Sequence, residues 1–573
     1  MISRRDFLQV AAATASLTGA MSVGGRLFAQ ASKQAIGQED LLRFKPSGQL
    51  TILHMTDCHA QLMPLYFREP STNLGVGEAR GLPPHVTDAE FLSTFGIAAG
   101  SHQAYALASA DFEALARSYG RVGGMDRMAT LIKAIRAERG ADRTLLLDGG
   151  DALQGSYTAL QSKGGDMVRV LETLGVEATT GHWEFTLGAD RVSQLFGDNI
   201  KAGSSRIAFL AGNIRENEFE EPVFNSTRMF EKGGFKIAVI GQAFPFTPIA
   251  NPRWLMPQWS FGIREDDARK NVVAARAAGA QLVILLSHNG FDVDRKLASR
   301  IDGIDIILTG HTHDALPVPV RVKNTLLIAS GSATKFLSRL DIEMKGGRMA
   351  GFSHALIPVL TDAITPDPDM ARLVSEIRAP HEKMLSTELA RTESLLYRRG
   401  NFNGTLDDLI CQAMLSERDA EISLSPGFRW GNSLPPGEPI TWDDLFTATA
   451  IPYPACYRTA IKGEMLKTIL EDVADNLFNV DPYYQQGGDM VRLGGMGYAI
   501  DIEAPVGRRI SEMTYLKTGK PIDPEREYVV AGWASVNKDT TGPPIWEVVA
   551  AHLQKNKVVR LAKNDSIKVR RGA

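Results

Sequence analysis

A short apolar run that ends in an acid or an imidazole recurs along this chain. Leu50-Thr51-Ile52-Leu53 leads into Thr56-Asp57-Cys58-His59, and Thr144-Leu145-Leu146-Leu147 into Asp148-Gly149-Gly150-Asp151. Leu282-Val283-Ile284-Leu285-Leu286 leads into Ser287-His288-Asn289-Gly290, and Ile304-Asp305-Ile306-Ile307-Leu308 into Gly310-His311-Thr312-His313. A fifth stretch, Gly181-His182-Trp183-Glu184-Phe185, carries another histidine. Runs this short, bounded by turn formers, are buried strands, and polar residues at their ends gather on one sheet edge, where open α/β folds place their sites. From about Gln49 to Leu360 such strands alternate with helical patterns, including Met125–Arg139 and Asp266–Ala278. That alternation predicts a layered α/β domain.

At 573 residues the chain is too long for one domain. Residues 32–364 form the expected hydrolase domain, interrupted between about 62 and 121 by Pro64, Pro70, Gly75, Gly77, Pro83 and Pro84. A connection of that length is expected to be a functional insertion or lid. Residues 365–389, with the helical pattern Met370–Thr387, read as a linker, and 390–573 as a smaller C-terminal domain with a helix at Thr405–Ser416. The basic tail Lys563–Arg571 reads as a solvated end.

Ser3-Arg4-Arg5-Asp6-Phe7-Leu8, a mildly apolar stretch from Val10 to Gly24 and then Ala29-Gln30-Ala31 read as a twin-arginine export signal over residues 1–31. No other stretch approaches the roughly 18 uninterrupted apolar residues of a membrane span. The expectation is therefore a soluble periplasmic protein, acting as a monomer. A net charge of −3 gives no sign of nucleic-acid binding. Cys58, Cys411 and Cys456 make neither a disulfide framework nor a zinc knuckle.

Residues two apart at a strand end, Asp57 and His59, can share one ion, and a carboxylate such as Asp151 can bridge two. Together Asp57, His59, Asp151, His182, His288, His311 and His313 make an oxygen and nitrogen donor set without thiolate. Such a set suits manganese first, with zinc or iron open, rather than calcium or magnesium. Asp148 reads as a supporting residue. His54, His85, His102, His354, His381 and His552 are assigned no site role.

These stretches resemble the calcineurin-like metallophosphoesterases and, over nearly the whole mature chain, their 5′-nucleotidase branch. Gly120-Arg121-Val122-Gly123-Gly124, Ala211-Gly212-Asn213, Pro426-Gly427-Phe428-Arg429 and Gly437-Glu438-Pro439-Ile440-Thr441 extend the likeness. The resemblance implies an α/β/β/α metallophosphoesterase-like N-terminal domain and a smaller α/β 5′-nucleotidase-type C-terminal domain. It implies one metal on Asp57, His59, Asp151 and His313, and a second on Asp151, His182, His288 and His311.

The family's usual Gly-Asn-His-Glu-Phe-Asp becomes Gly181-His182-Trp183-Glu184-Phe185-Thr186. His182 replaces an asparagine ligand, while Trp183 and Thr186 replace the His–Asp pair that assists the leaving group. An indole N–H donates a hydrogen bond but delivers no proton at neutral pH. With Tyr66-Phe67-Arg68-Glu69-Pro70-Ser71, that departure resembles the thiosulfohydrolases of the bacterial sulfur-oxidation (Sox) system. The likeness implies hydrolysis of a sulfonate-capped cysteine on the C-terminal arm of a sulfur-carrier protein, whose acidic persulfide leaves unaided. Two metals would lower the pKa of a water and supply the nucleophile.

Arg429 is the expected anchor for the sulfonate, and Trp183 is expected to wall the pocket or orient an oxygen. Gly487–Met496 occupies the region of the nucleotidase aromatic clamp, and Phe428, Tyr483 and Tyr484 form no convincing pair there. Cys58 reads as a spectator and Cys411 as core; Cys456 has no role. Two rival readings stay open: a periplasmic 5′-nucleotidase or 2′,3′-cyclic phosphodiesterase, and a non-catalytic binding module stapled by its metals.

Overall fold

The computed structural model describes residues 36–198 and 202–570, so the leader expected at 1–31 lies outside the described residues. Two six-stranded sheets form the heart of the N-terminal part. The first runs in the order Arg348–Pro358, Phe336–Lys345, Leu50–Met55, Thr144–Asp148, Ala178–Thr179, Ala208–Phe209. The second runs Val320–Val322, Thr325–Ala329, Ile306–Thr309, Leu282–Ser287, Phe235–Gln242, Thr227–Lys232. Within each sheet the strands that end in acids and imidazoles run parallel to one another, with Met55 opposite Asp148 and Ser287 opposite Thr309, while Leu50–Met55 pairs antiparallel with Phe336–Lys345 on its other side.

Alternate residues of these strands face opposite layers, which is why the runs are apolar throughout rather than every second residue. Leu50, Ile52, Leu145, Leu147, Ile284 and Leu308 meet between the sheets. Leu53 and Leu146 point outward, where Met125–Arg139, Gly165–Leu174 and Pro368–Arg378 cover them with Met128, Leu131, Ile135, Leu171 and Val374. Val283 and Leu285 point the other way, under Glu265–Ala277 and Phe291–Arg300. The result is the α/β/β/α layering the resemblance implied. Each fully buried aliphatic side chain contributes roughly 1.5–3 kcal/mol.

The segment 62–121 is not a detached lid. It forms the helices Asp88–Phe95, His102–Leu107 and Phe112–Tyr119 and sends Phe67, Tyr105 and Phe112 into one core and Phe91 and Leu107 into another. Its Tyr66 carbonyl accepts from the Ser433 amide at 2.7 Å, tying it to the C-terminal part. The single helix expected over Met370–Thr387 is two: Pro368–Arg378, capped by the Asp367 carboxylate on the Met370 amide, and Glu382–Leu385. Pro380, which lacks an N–H, separates them.

From Glu388 onward the chain builds smaller sheets. One orders Tyr457–Lys462, Glu527–Gly532, Ile422–Ser425 and Arg492–Gly494, with Thr405–Glu417 packed on it. The basic tail is also more than a loose end. Ile567–Arg570 pairs in parallel with Tyr498–Asp501 as an edge strand, its lysine and arginine side chains turned to solvent.

Candidate metal centre

All seven residues nominated as ligands emerge just past the C-terminal ends of parallel strands, on one rim of the layered domain. The rim backbone is tightly curled. Asp57, His59, Asp151, His311 and His313 have φ of 50°, 44°, 56°, 74° and 57°, a left-handed region that costs a non-glycine residue about 1–2 kcal/mol. Cross-strand hydrogen bonds hold them there: Asp57 N to Gly150 O at 2.9 Å, His59 N to Asp151 O at 2.8 Å and Ala333 N to Asp57 O at 2.8 Å. Gly310 permits the close packing, since a Cβ there would stand 2.6 Å from Thr56 Oγ1.

The side chains converge in two groups, Asp57-His59-Asp151-His313 and Asp151-His182-His288-His311, each with its donor atoms within 4.8 Å of one another. Among the described residues these are the groups of three or more acidic, histidine or cysteine side chains placed to hold an ion. Asp151 belongs to both, its Oδ2 lying 3.1 Å from His182 Nδ1 and 3.1 Å from His288 Nε2. His59 Nε2 and His313 Nε2 stand 3.1 Å apart, and His313 Nε2 is 3.2 Å from Asp57 Oδ1.

Divalent ions fit this arrangement on four counts. Two imidazole nitrogens facing each other at 3.1 Å need a cation or a proton between their lone pairs. Burial disfavours the charged imidazolium and lowers the pKa of His182, of His311 and, to about 4, of His313, leaving these lone pairs available. Burial alone would lower His288 too, but Asp151 and Asp57 outweigh it and drive that pKa up to about 10, so a positive charge belongs at this position. Burial likewise opposes ionisation of Asp57 and Asp151, yet the facing imidazoles hold both carboxylates below their usual range.

Around this set sits a supporting layer. Glu184 accepts from the amides of Ala152 and His182, both at 2.8 Å, and so fixes two ligand loops at once. His288 Nδ1 donates to Gly149 O at 2.6 Å. Asp148 belongs to neither group; it accepts from the Thr179 hydroxyl at 2.6 Å, and burial raises its pKa well above the usual value. Cys58 is fully buried, and burial with three nearby carboxylates raises its thiol pKa far up. His54 pairs with Ser330, His85 with Asp292 and His354 with a backbone carbonyl, and none of the three belongs to either group.

A cavity of about 300 Å³ opens in front of the ligands, walled by Trp183, Phe244, Phe428, Arg429 and Trp430. Trp183 meets Phe428 and Trp430 edge-on, at ring separations of 5.1 and 4.7 Å. Phe428 and Trp430 stack on each other at 4.0 Å, whereas a base held between two rings needs two contacts of about 3.5 Å each. Tyr483 turns away to donate to Glu265, and Tyr484 is exposed. The Thr186 hydroxyl donates to the Trp183 carbonyl at 2.6 Å rather than to the side chain of residue 183. Arg429 donates to the carbonyls of His311 and Gly488, with Asp489 Oδ1 3.6 Å from its Nε.

Sequence reasoning missed Glu184, Phe244, Trp430, Arg399, Asn251 and Tyr453. Trp430 directly follows the Phe428-Arg429 motif and was within reach of notice. Glu184 stands inside the Gly181–Phe185 stretch and was equally within reach; the others come from segments with no motif around them.

Comparisons with known proteins fit this picture. The model of the 5′-nucleotidase C-terminal domain matches residues 388–546. A rat 5′-nucleotidase is 23% identical over 516 residues, 78% of this chain and 85% of that protein. A bovine 5′-nucleotidase is 23% identical over 450 residues, 69% of this chain and 73% of that one. Among solved structures, the sulfate thiohydrolase SoxB of Thermus thermophilus, solved with glycerol, is similar with a TM-score of 0.87 and 36% identity, over 92% of this chain and 97% of that one. A 5′-nucleotidase precursor from Thermus thermophilus shares the fold with a TM-score of 0.71 and 21% identity, over 91% and 99%.

Proposed function

Because the chain belongs to the SoxB sulfate thiohydrolase family, within the 5′-nucleotidase superfamily of metal-dependent hydrolases, we propose that it releases sulfate from a cysteine S-thiosulfonate carried on a partner protein. The observation that carries the reading is Trp183. It stands in the cavity beside the two donor groups, where a phosphomonoesterase needs a proton donor, and it has no proton to give.

The balance of the reaction accounts for that choice. Cys–S–S–SO₃⁻ and water give Cys–S–S⁻, sulfate and two protons. The bond between the sulfane and sulfonate sulfurs breaks, its electron pair leaves on the persulfide, and a new oxygen–sulfur bond forms. A persulfide is acidic enough to depart as an anion, so no side chain need protonate it. Two divalent ions, manganese first with zinc or iron open, would lie on the groups Asp57-His59-Asp151-His313 and Asp151-His182-His288-His311 and would lower the pKa of the attacking water and offset negative charge on oxygen.

The protein's own residues do the rest. The planar Arg429 fork binds the sulfonate oxygens. The Trp183 indole N–H orients an oxygen, and the aromatic wall excludes water from the leaving sulfur. The mutual stacking of Phe428 and Trp430 favours a slender carrier arm over a nucleoside. The partner is a sulfur-carrier protein presenting a C-terminal cysteine arm to a monomer of this chain in the periplasm, reached by the twin-arginine route. No helix among the described residues is long and apolar enough to cross a membrane.

The test is sulfate release by the manganese-loaded protein from a carrier peptide bearing the S-thiosulfonate, with AMP hydrolysis run beside it. Sulfate without phosphate is expected. Phosphate without sulfate would return the chain to the nucleotidases, and neither product would favour a non-catalytic binding module.

A further inference from the structure

The seven donor residues differ in what holds them. Asp57, Asp151 and His288 are oriented entirely from the N-terminal part. Thr56 and the His311 amide donate to Asp57, the Trp183 amide donates to Asp151 at 2.7 Å, and His288 is fixed by Gly149. The other four histidines lean on residues beyond position 388.

His311 does so directly: its Nε2 donates to the Gln486 carbonyl at 2.9 Å. The backbone carbonyl of His313 accepts from Arg399 at 3.3 Å. His59 Nδ1 donates to Gln154 Oε1 at 3.2 Å, Gln154 Nε2 donates onward to Ala450 O at 2.7 Å, and the His59 ring stacks on Trp430 at 5.4 Å. His182 Nε2 lies 3.4 Å from the Asn251 amide nitrogen, and Asn251 Oδ1 accepts from the Tyr453 hydroxyl at 2.9 Å. Each ion-holding group therefore contains two histidines tethered across the divide and a remainder fixed on the near side.

We propose that the C-terminal domain completes the metal centre, with Gln486, Tyr453, Ala450 and Arg399 as positioning residues, so that loading of the ions and docking of the two domains stabilise each other. This rests on the two-ion reading of the site. Contacts behind an imidazole fix its tautomer and orientation, and their loss weakens metal affinity about 10–100-fold. Coupling between two equilibria is reciprocal, so the factor by which docking strengthens the ions is the factor by which the ions strengthen docking. Opening the domains would leave each ion on its fixed ligands alone.

Gly487 offers the sharpest probe. Its φ is +73°, and a Cβ there would stand 2.4 Å from His311 Nε2. Gly487→Ala forces the Gln486 carbonyl off the ring, while Tyr453→Phe removes a single hydroxyl at little risk to folding. Manganese affinity is measured by competition with a chelator, and hydrogen exchange of peptides spanning 365–389 and 482–490 is followed with and without the metal.

In the native protein manganese is expected to slow exchange in both spans. Gly487→Ala is expected to weaken manganese binding at least tenfold and Tyr453→Phe severalfold, and Gly487→Ala to abolish the metal-dependent protection of 482–490. Native-like manganese affinity in both variants, or protection confined to the N-terminal part, overturns the coupling while the two-ion reading stands. Failure of the native protein to bind manganese overturns both.

Discussion

Metal loading near neutral pH should expel a proton from His288. Asp151 and Asp57 drive the pKa of this buried imidazole up to about 10, so at pH 7 it carries the imidazolium. A cation needs the bare Nε2 lone pair that faces Asp151 Oδ2 at 3.1 Å, and binding must displace that proton. His182, His311 and His313 titrate below their ordinary value, so they release nothing in the same window. The sign follows: a group that must deprotonate to bind makes affinity rise with pH below its own pKa. Between pH 7 and 9 manganese affinity should rise about tenfold per pH unit, or roughly 1.4 kcal/mol, levelling off near pH 10. Isothermal titration calorimetry in two buffers of equal pH and different ionisation enthalpy reads the proton count directly. At least one proton released is expected, with a further one from water that the ions acidify. A count near zero, with affinity flat across the window, would refute the assignment of His288 as a ligand that competes with its own proton.

Asp151→Asn should cut the affinity for both ions at least tenfold and abolish sulfate release, because both donor groups share this carboxylate; metal content after dialysis measures it. Arg492→Met should destabilise the fold by about 3 kcal/mol, read from urea unfolding, because it removes a buried guanidinium 3.3 and 2.8 Å from Asp407 and Asp489 and leaves Asp407 to Arg398 alone and Asp489 to the more distant Arg429. Trp183→His combined with Thr186→Asp should bring phosphomonoester hydrolysis above the native level and give it a dependence on imidazolium, measured as a pH–rate profile with AMP.

The layered fold was legible because strands buried on both faces cannot hide: Leu282–Leu286 and Thr144–Leu147 admit no other reading once each is followed by a ligand. The donor set was legible for the same reason, since every donor sits within a few residues of its strand. Legibility ended where chemistry depends on contacts across the domains. Tyr453 is 202 positions from Asn251 and Gln486 is 175 from His311, and nothing in either neighbourhood announces the contact. The curled rim was equally hidden, because aspartate and histidine enter left-handed backbone only when surrounding hydrogen bonds hold them there. The linker break at Pro380 was readable from the sequence; the helical pattern on either side of it obscured a residue that cannot continue a helix.

The three buried thiols acquire a meaning from the sulfur chemistry proposed for this chain. Thiosulfonates and persulfides are attacked by thiolates, and the product of such an attack is a mixed disulfide that would stall the enzyme on its own substrate. Cys58, lodged between two ligands, stands nearest to that danger. Its burial among Asp148, Asp57 and Glu184 keeps the sulfur protonated, and Cys411 and Cys456 are pushed in the same direction, the latter to about 11. An unionised thiol is a poor nucleophile. On the proposed reaction, the chain's own cysteines stay out of the exchange.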